Sequence, residues 1–510
     1  MRNRVAIGIL ALMLACALIV SCGKGGTDPT KVLPEDTKLV VVIPSIGDTT
    51  AHFGEFFGWL SKQVPMLAMF QQQANAMAGG DFTNPEELSK NGINPKGGVA
   101  VALIDMMQQK YVVLVPVKKE QDFIAFLKKT VGRGMDIPKT DDEYNIAGNT
   151  MVIKKGFAYI APNRATIDEL LESKGNSISS NADFKTVWKN LGDGDIMLYM
   201  SAEMLKAAPT PEARELAKLT KNFKAFGACL NMGESKLSAK IFTSVDNTDE
   251  MEKMMSSPGE DSMLEMLPGP TPILGKARLS VPELWAYVKA NYIEADPEVK
   301  AEYEKSVAQA KVALGMDIET DMIANIVGDP VIAYYGMTGR RKDTPDIVVA
   351  MVVKDEAKVR TAIEKLGEMM SGGKKKKSAL ESMGVVEFAK SRSEKFYATV
   401  VRSNLIFTTD ADTMKKVLGM LAGTSSDPKA IDSVEYEEAK KMLLDKKLNV
   451  VYLGTREMVK VLKESMNKRK QAEMDSYLAQ APGLVDSYLI LKAELVSDGF
   501  MEELSLNFGE

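Results

Sequence analysis

Six landmarks recur in this chain in the same order, and a chain written twice can adopt only an architecture that half of it can build. Leu33-Pro34 before the apolar run Leu39 to Ile43 answers to Leu267-Pro268 before Ile273 to Leu279. Gly92-Ile93-Asn94-Pro95, leading to Gly97 through Ala102, answers to Gly315-Met316-Asp317-Ile318, leading to Gly328 through Ala333. Val112 to Val117 followed by Lys118 matches Val348 to Val353 followed by Lys354, and Phe157 to Ile160 matches Leu405 to Thr408. Asp183-Phe184, Leu198-Tyr199-Met200 and Glu203-Met204 match Glu435-Tyr436, Val451-Tyr452-Leu453 and Glu457-Met458, and Leu237 to Phe242 matches Leu504 to Phe508. The offset is 234 at Leu33/Leu267, 236 at Val117/Val353, 248 at Phe157/Leu405 and 253 at Tyr199/Tyr452. Chance matches would scatter. The sequence therefore reads as two homologous domains, 32–248 and 266–510, joined by a Met/Ser/Pro-rich hinge over 249–265.

Within each copy the grammar is strand, strand, helix. Met151 to Lys154 and Phe157 to Ile160 flank Lys155-Gly156, a two-residue turn that demands antiparallel pairing, and a helix follows at Thr166 to Ser173. Val99 to Leu103 and Tyr111 to Val117 are separated by too few residues for a parallel crossover. The helix Gln121 to Thr130 after them places Phe123, Phe126 and Leu127 on one face. The expected fold class is α+β, each domain an antiparallel sheet with helices packed on one face. The second copy carries insertions, chiefly helices at Pro282 to Asn291 and Glu298 to Leu314 and a long helical region from Arg456 to Leu478.

Residues 1–21 have the parts of a secretory signal: Arg2 and Arg4, an apolar run from Val5 to Val20, and small Ser21 before a cysteine. The run is short of the roughly 20 apolar residues a membrane span needs. Ile19-Val20-Ser21-Cys22 resembles the bacterial lipobox, and that resemblance implies a diacylglyceryl group on the Cys22 thiol and cleavage after Ser21. Two or three acyl chains hold firmly, since each buried CH₂ contributes about 0.8 kcal/mol. Residues 22–31 then form a flexible tether. By analogy with Gram-negative sorting, Gly23 after the cysteine points to the outer membrane before the inner.

Composition narrows the partners. Without the leader's two basic residues the balance is 62 − 69 = −7, which argues against nucleic acid. Of three cysteines, Cys16 leaves with the leader, Cys22 is the anchor and Cys229 stands alone, so no disulfide is expected.

Leu33 to Thr37 (Leu-Pro-Glu-Asp-Thr), Gly315 to Glu319 (Gly-Met-Asp-Ile-Glu), Val327 to Val331 (Val-Gly-Asp-Pro-Val) and the Val353-Lys354-Asp355 helix entry are similar to those of a family of bacterial cell-envelope proteins, often lipoproteins, described only as a domain of unknown function. The resemblance covers most of 32–510 and supplies no catalytic residues to carry over. The first copy has Asn94-Pro95 where the second has Asp317-Ile318, which argues against an essential acid there.

No phosphate-binding loop, H-E-x-x-H, C-x-x-C or G-x-S-x-G is present. His52, the single histidine, reads as a loop residue with no orienting group and no second ligand, and nothing in the sequence associates it with Cys229, which reads as a buried small hydrophobe. Ser-x-x-Lys at Ser371/Lys374, Ser426/Lys429 and Ser465/Lys468 lacks the partner motifs of penicillin-binding proteins. Met251, Met254, Met255, Met263 and Met266 crowd the hinge. They read as adaptable core or hinge filler rather than a Cu(I) site, because no His or Cys is near, with a greasy contact surface as the alternative. The basic runs Arg340-Arg341-Lys342 and Lys374 to Lys377 read as solvated loops, with docking to anionic lipid or glycan as the alternative. Trp59, Trp188 and Trp285 read as core anchors on amphipathic helices.

The expectation is a lipid-anchored envelope protein, held to the membrane by its N-terminal lipid, with no metal, no cofactor and no catalytic residues. It would bind another envelope protein, a glycan or an apolar ligand in a cleft between the copies. An envelope hydrolase with a dispersed carboxylate or Ser site is one alternative; a carrier of lipid or another apolar ligand, with the Met-rich hinge in its groove, is the other.

Overall fold

The computed structural model describes residues 27–63, 67–68, 84–105, 108–131, 136–172, 175–206, 222–255, 262–338, 344–370, 380–389, 395–445, 447–479 and 482–508. By contacts the chain divides into two compact units, the first up to Asn247 plus Val496–Phe508, the second Thr248–Leu495. The C-terminal strand therefore belongs with the first unit, not with the unit that precedes it in sequence.

The first unit contains strands β1 (Leu39–Ile43), β2 (Val99–Asp105), β3 (Lys110–Pro116), β4 (Lys139–Thr140), β5 (Glu143–Ile146), β6 (Asn149–Lys154), β7 (Phe157–Ala161), β8 (Ile196–Ser201), β9 (Phe223–Gly233) and β10 (Lys236–Val245). They form one antiparallel sheet in the order β4-β5-β6-β7-β3-β2-β1-β8-β9-β10. The C-terminal strand Gly499–Asn507 pairs along β10, from Lys236↔Asn507 to Ser244↔Gly499. Its helices include α1 (Ile46–Gln63), α2 (Pro85–Lys90), α3 (Glu120–Thr130), α4 (Arg164–Glu172) and α5 (Ala182–Leu191).

The second unit contains β11 (Ile273–Lys276), β12 (Val331–Thr338), β13 (Thr344–Val352), β14 (Val386–Ala389), β15 (Lys395–Val401), β16 (Asn404–Thr408), β17 (Asn449–Gly454) and β18 (Tyr488–Val496), which makes the C-terminal strand β19. Their order is β14-β15-β16-β13-β12-β11-β17-β18, again antiparallel throughout. Apart from the two-residue edge strand β4 and the end strand β10, this is the first unit's order. The register agrees as well. Val40 lies between Ala102 and Tyr199, and Leu274 lies between Ala333 and Tyr452. Even the isolated bridges repeat, Pro34↔Ser177 with Pro268↔Lys429 and Ile93↔Val117 with Ile326↔Val353.

One match needs correction. Val115 pairs with Ala158 and Met351 with Leu405, so Ala158 corresponds to Leu405, an offset of 247 and not 248. A one-residue slip turns every side chain to the other face.

The helices lie on both faces of each sheet, not on one. In the first unit Val40, Ala102, Val112, Leu114 and Tyr159 pack with Ile167 of α4 and Val187 of α5. The alternate residues Val99, Val113, Ala158 and Ile160 pack with Ile46, Leu88 and Phe123 of α1, α2 and α3. All five residues of β7 are consequently buried. The second unit repeats the division. Met414 and Val417 of α9 (Ala411–Ala422) and Leu443 of α10 (Glu437–Leu444) cover one face, while Val359 and Ile363 of α8 (Glu356–Met370) cover the other.

The insertions are helical, with changed boundaries. Pro282 to Asn291 resolves into α6 (Val281–Val288) followed by a π-helical turn at Lys289–Ile293, and α7 spans Pro297–Leu314. The region Arg456 to Leu478 is two helices, α11 (Thr455–Ser465) and α12 (Lys468–Ala479), interrupted at Met466-Asn467.

Candidate functional site

The lone histidine is better placed than the sequence suggests. His52 sits on α1, not in a loop, and its Nδ1 lies 2.8 Å from Oδ1 of Asp195. Asp195 reaches that position through the turn Gly192-Asp193-Gly194-Asp195. Gly192 ends α5 at φ 73°, and a Cβ on Gly194 would come within 2.8 Å of the Cys229 Cβ. The Asp195 main chain then enters β8, donating its N–H to the Leu230 carbonyl at 2.8 Å.

Asp195 is 6% exposed, and a buried carboxylate persists only when its oxygens are occupied. Here both are. Oδ1 faces His52, and Oδ2 accepts the Met232 N–H at 2.7 Å. Thr49, one turn before His52, donates its hydroxyl to the Asp195 carbonyl at 3.2 Å. With Nδ1 held by the acid, Nε2 is the ring atom left to serve as a general base or a metal ligand when the imidazole is neutral. The half-exposed side chain carries no second hydrogen bond among the described residues. Further along α1, Phe56 and Trp59 pack their rings on Phe508, with centroids 5.9 and 4.8 Å apart.

The dyad is confined to one unit. The register that equates Tyr199 with Tyr452 puts Leu448 at the Asp195 position, and Leu448 is a half-buried hydrophobe on the core. Two buried tyrosines are what the units do share: burial raises both phenols far above their ordinary range, with Asp183 and Glu203 adding at Tyr199 and chiefly Glu457 at Tyr452.

The other sequence candidates separate cleanly. Cys22, Arg340 to Lys342, Ser371 and Lys374 to Lys377 lie outside the described residues. Cys229 is buried, and burial pushes its thiol pKa up, which suits a structural residue. Lys429 pairs with Glu265 at 3.2 Å and Ser465 donates to the Leu462 carbonyl at 2.7 Å, so neither serine–lysine pair joins. Met263 is a fully buried core residue of the second unit, and Met266 packs partly buried against the same core. Trp59 is buried and Trp188 packs partly buried on the core, whereas Trp285 packs on Tyr303, with ring centroids 6.0 Å apart. Among the described residues no three His, Cys, Asp or Glu side chains are grouped to hold a metal, and no helix is long and apolar enough to cross a membrane.

The sequence landmarks are structural devices. Thr37 turns back on Pro34, its hydroxyl donating to the Pro34 carbonyl at 2.7 Å. Asp317 caps the short helix Ile318–Asp321, and Asn94 in the first unit takes the Lys96 N–H at 3.1 Å. Gly97 and Gly328 admit the neighbouring strand: a Cβ would come within 2.4 Å of the Pro116 Cβ and 2.3 Å of the Val352 Cβ. Asp195 escaped the sequence reading, although a doubled Gly-Asp between a helix and an apolar strand is its signal.

A family model described as a protein of unknown function (DUF3352) matches residues 58–481. No curated protein matches the chain. Among solved structures, TP0453 in crystal form IV is 11% identical over 45% of this chain and 85% of that one, with a TM-score of 0.26. Crystal form III is 10% identical over 46% and 89%, also at 0.26. Likeness at that level carries no argument.

Proposed function

We propose, from the premise that the chain belongs to the DUF3352 family of proteins of unknown function, that it is a lipid-anchored bacterial envelope protein whose duplicated α+β module binds another envelope component without catalysis. The observation that carries this reading is the pattern of what the two units share. They have the same strand order, register and isolated bridges, while the one ordered histidine–carboxylate pair belongs to a single unit. Duplication that keeps a scaffold and varies its polar groups favours a surface over a reaction centre. The lipobox-like Ile19-Val20-Ser21-Cys22 supplies the anchor.

Intact-mass measurement of protein taken from membranes tests the anchor: the expected species begins at Cys22 and carries diacylglycerol plus an acyl chain, and an unmodified thiol refutes it. Cross-linking in intact envelopes tests the binding role. The expected result is a defined adduct with the native chain that Cys22→Ser loses by leaving the membrane; a chain that remains uncross-linked overturns it.

A second reading, an envelope hydrolase, is favoured by the Asp195-held His52. Under it Nε2 takes the proton of an attacking water and returns it to the leaving group. His52→Gln and Asp195→Asn would then each abolish release from an ester, amide and glycoside panel. Equal release by wild type and both variants sinks that reading.

A further inference from the structure

The second unit holds a carboxyl group that the fold does not fully satisfy. Asp346 lies on β13 opposite Gly336, where β12 is bulged between Tyr334 and Gly336. Its Oδ2 accepts the Thr413 hydroxyl at 2.7 Å, but its Oδ1 is shut away from solvent with no hydrogen-bond partner among the described residues. Tyr335, re-aimed by the bulge into the core cluster, has a hydroxyl in the same condition. On the other side of Thr413 sits a second acid. Asp410 caps α9, accepting the N–H groups of Asp412 at 2.9 Å and Thr413 at 3.0 Å on Oδ1 and the Thr338 hydroxyl at 2.8 Å on Oδ2.

One residue, Thr413, thus donates its amide to Asp410 and its hydroxyl to Asp346. Two ionised carboxylates bracketing it would repel each other, and one of them has no donor for its second oxygen. Protonation of the less satisfied acid removes the repulsion and the cost of burying its charge.

We propose that Asp346 is a proton-operated latch that ties the β12–β13 hairpin to the N-terminus of α9, closed when the carboxyl is protonated and loosened when it ionises. The groups facing it agree with that assignment. Burial pushes Asp346 up to about 6; the Thr413 bond opposes this, Asp410 adds to it, and Lys416 on α9 pulls weakly down. From β12, the Tyr335 phenol is itself raised by burial and by Asp346. Lys415 is occupied by Asp412 at 2.7 Å. The hairpin residues 339–343 lie outside the described residues. A protein exposed to its surroundings at the envelope would meet this pH range, so the latch would make the face beside β12 and α9 responsive to acid.

Hydrogen exchange on the full chain tests it, with peptides over 331–338, 344–352 and 411–422 read at pH 5.0 and 7.5 after correction for intrinsic exchange. In the wild type, protection of 411–422 should fall about tenfold between the two, the effect of roughly one unit of proton linkage. Asp346→Asn, which cannot ionise, should stay at the low-pH level at both. Wild-type protection that does not change, or a pH step retained by Asp346→Asn, overturns the proposal. The wild-type arm decides the matter even if the variant folds poorly.

Discussion

In the first unit the buried acid Asp195 has both oxygens occupied, by His52 and by the Met232 amide, whereas in the second unit Asp346 has one oxygen bonded and the other shut away without a partner. The sheets around them run in the same order and register, so the frame did not dictate either acid. The Asp195 position is Leu448 in the other unit, and the Asp346 position is Lys110, whose ammonium pairs with Glu169 at 2.9 Å near the surface. The frame belongs to both units; the chemistry belongs to each alone.

The strongest way to break that comparison is through the shared tyrosines. Tyr199 and Tyr452 are each 2% exposed at the same register, Tyr199 edge-on to Phe184 at 5.2 Å and Tyr452 tilted on Tyr488 at 6.2 Å. Tyr199→Ala and Tyr452→Ala should each destabilise their own unit by about 3–5 kcal/mol, as large-to-small changes in packed cores do. Denaturant unfolding monitored by exchange in each unit would show it. A loss below about 1 kcal/mol in one unit and not the other would mean the matched register is not a matched core.

The acids should respond with opposite signs. Asp195→Ala leaves the Met232 amide without its acceptor and His52 without its holder, a loss of about 1–3 kcal/mol, visible as a lower denaturation midpoint near neutral pH. Asp346→Asn should stabilise instead. Its folded pKa, raised to about 6, lies above the ordinary value for aspartate, so the folded state binds the proton more tightly than the unfolded chain. Below the unfolded value both states are protonated and the acid costs nothing. As pH rises through about 6 the wild type loses stability that the amide keeps. The gain should be about 1–2 kcal/mol at pH 7.5, after allowing for partial solvent screening, and should vanish near pH 4. Equal stability at both values would mean Asp346 finds a cation.

Much of the frame was legible because it rests on local signals. The short link between Val99 to Leu103 and Tyr111 to Val117 and the two-residue turn at Lys155-Gly156 specify antiparallel pairing without reference to the rest of the chain. Coverage of both sheet faces was present too, in the unbroken apolar run Phe157-Ala158-Tyr159-Ile160, since a strand with one wet face alternates and this one does not. The polar site was not legible. His52 and Asp195 are 143 residues apart, and an orienting acid is defined by where a turn delivers it, not by its neighbours in sequence. Met263 shows the same limit: it lies in a stretch that reads as a polar hinge, and only the short helix Ser262–Glu265 turns it, with Leu264, into the core.

The smallest effect tests the turn itself. Lys155-Gly156 and Arg402-Ser403 close the same hairpin in the two units, with φ of 49° and 80° in the first and 50° and 59° in the second. Such turns need a left-handed backbone at both positions, where glycine is unstrained and a β-carbon is not. The serine side chain offers little in return. The bonds at Ser403 are made by its backbone, the N–H to Glu356 at 2.8 Å and the carbonyl from the Val353 N–H at 2.8 Å, and glycine would keep both. Ser403→Gly should therefore raise the stability of the second unit by about 0.5–1 kcal/mol, and Gly156→Ser should lower that of the first by a similar amount. Thermal melts of the two variants measure both. A stabilising Gly156→Ser would show that the hairpins, alike in register, are held by different forces.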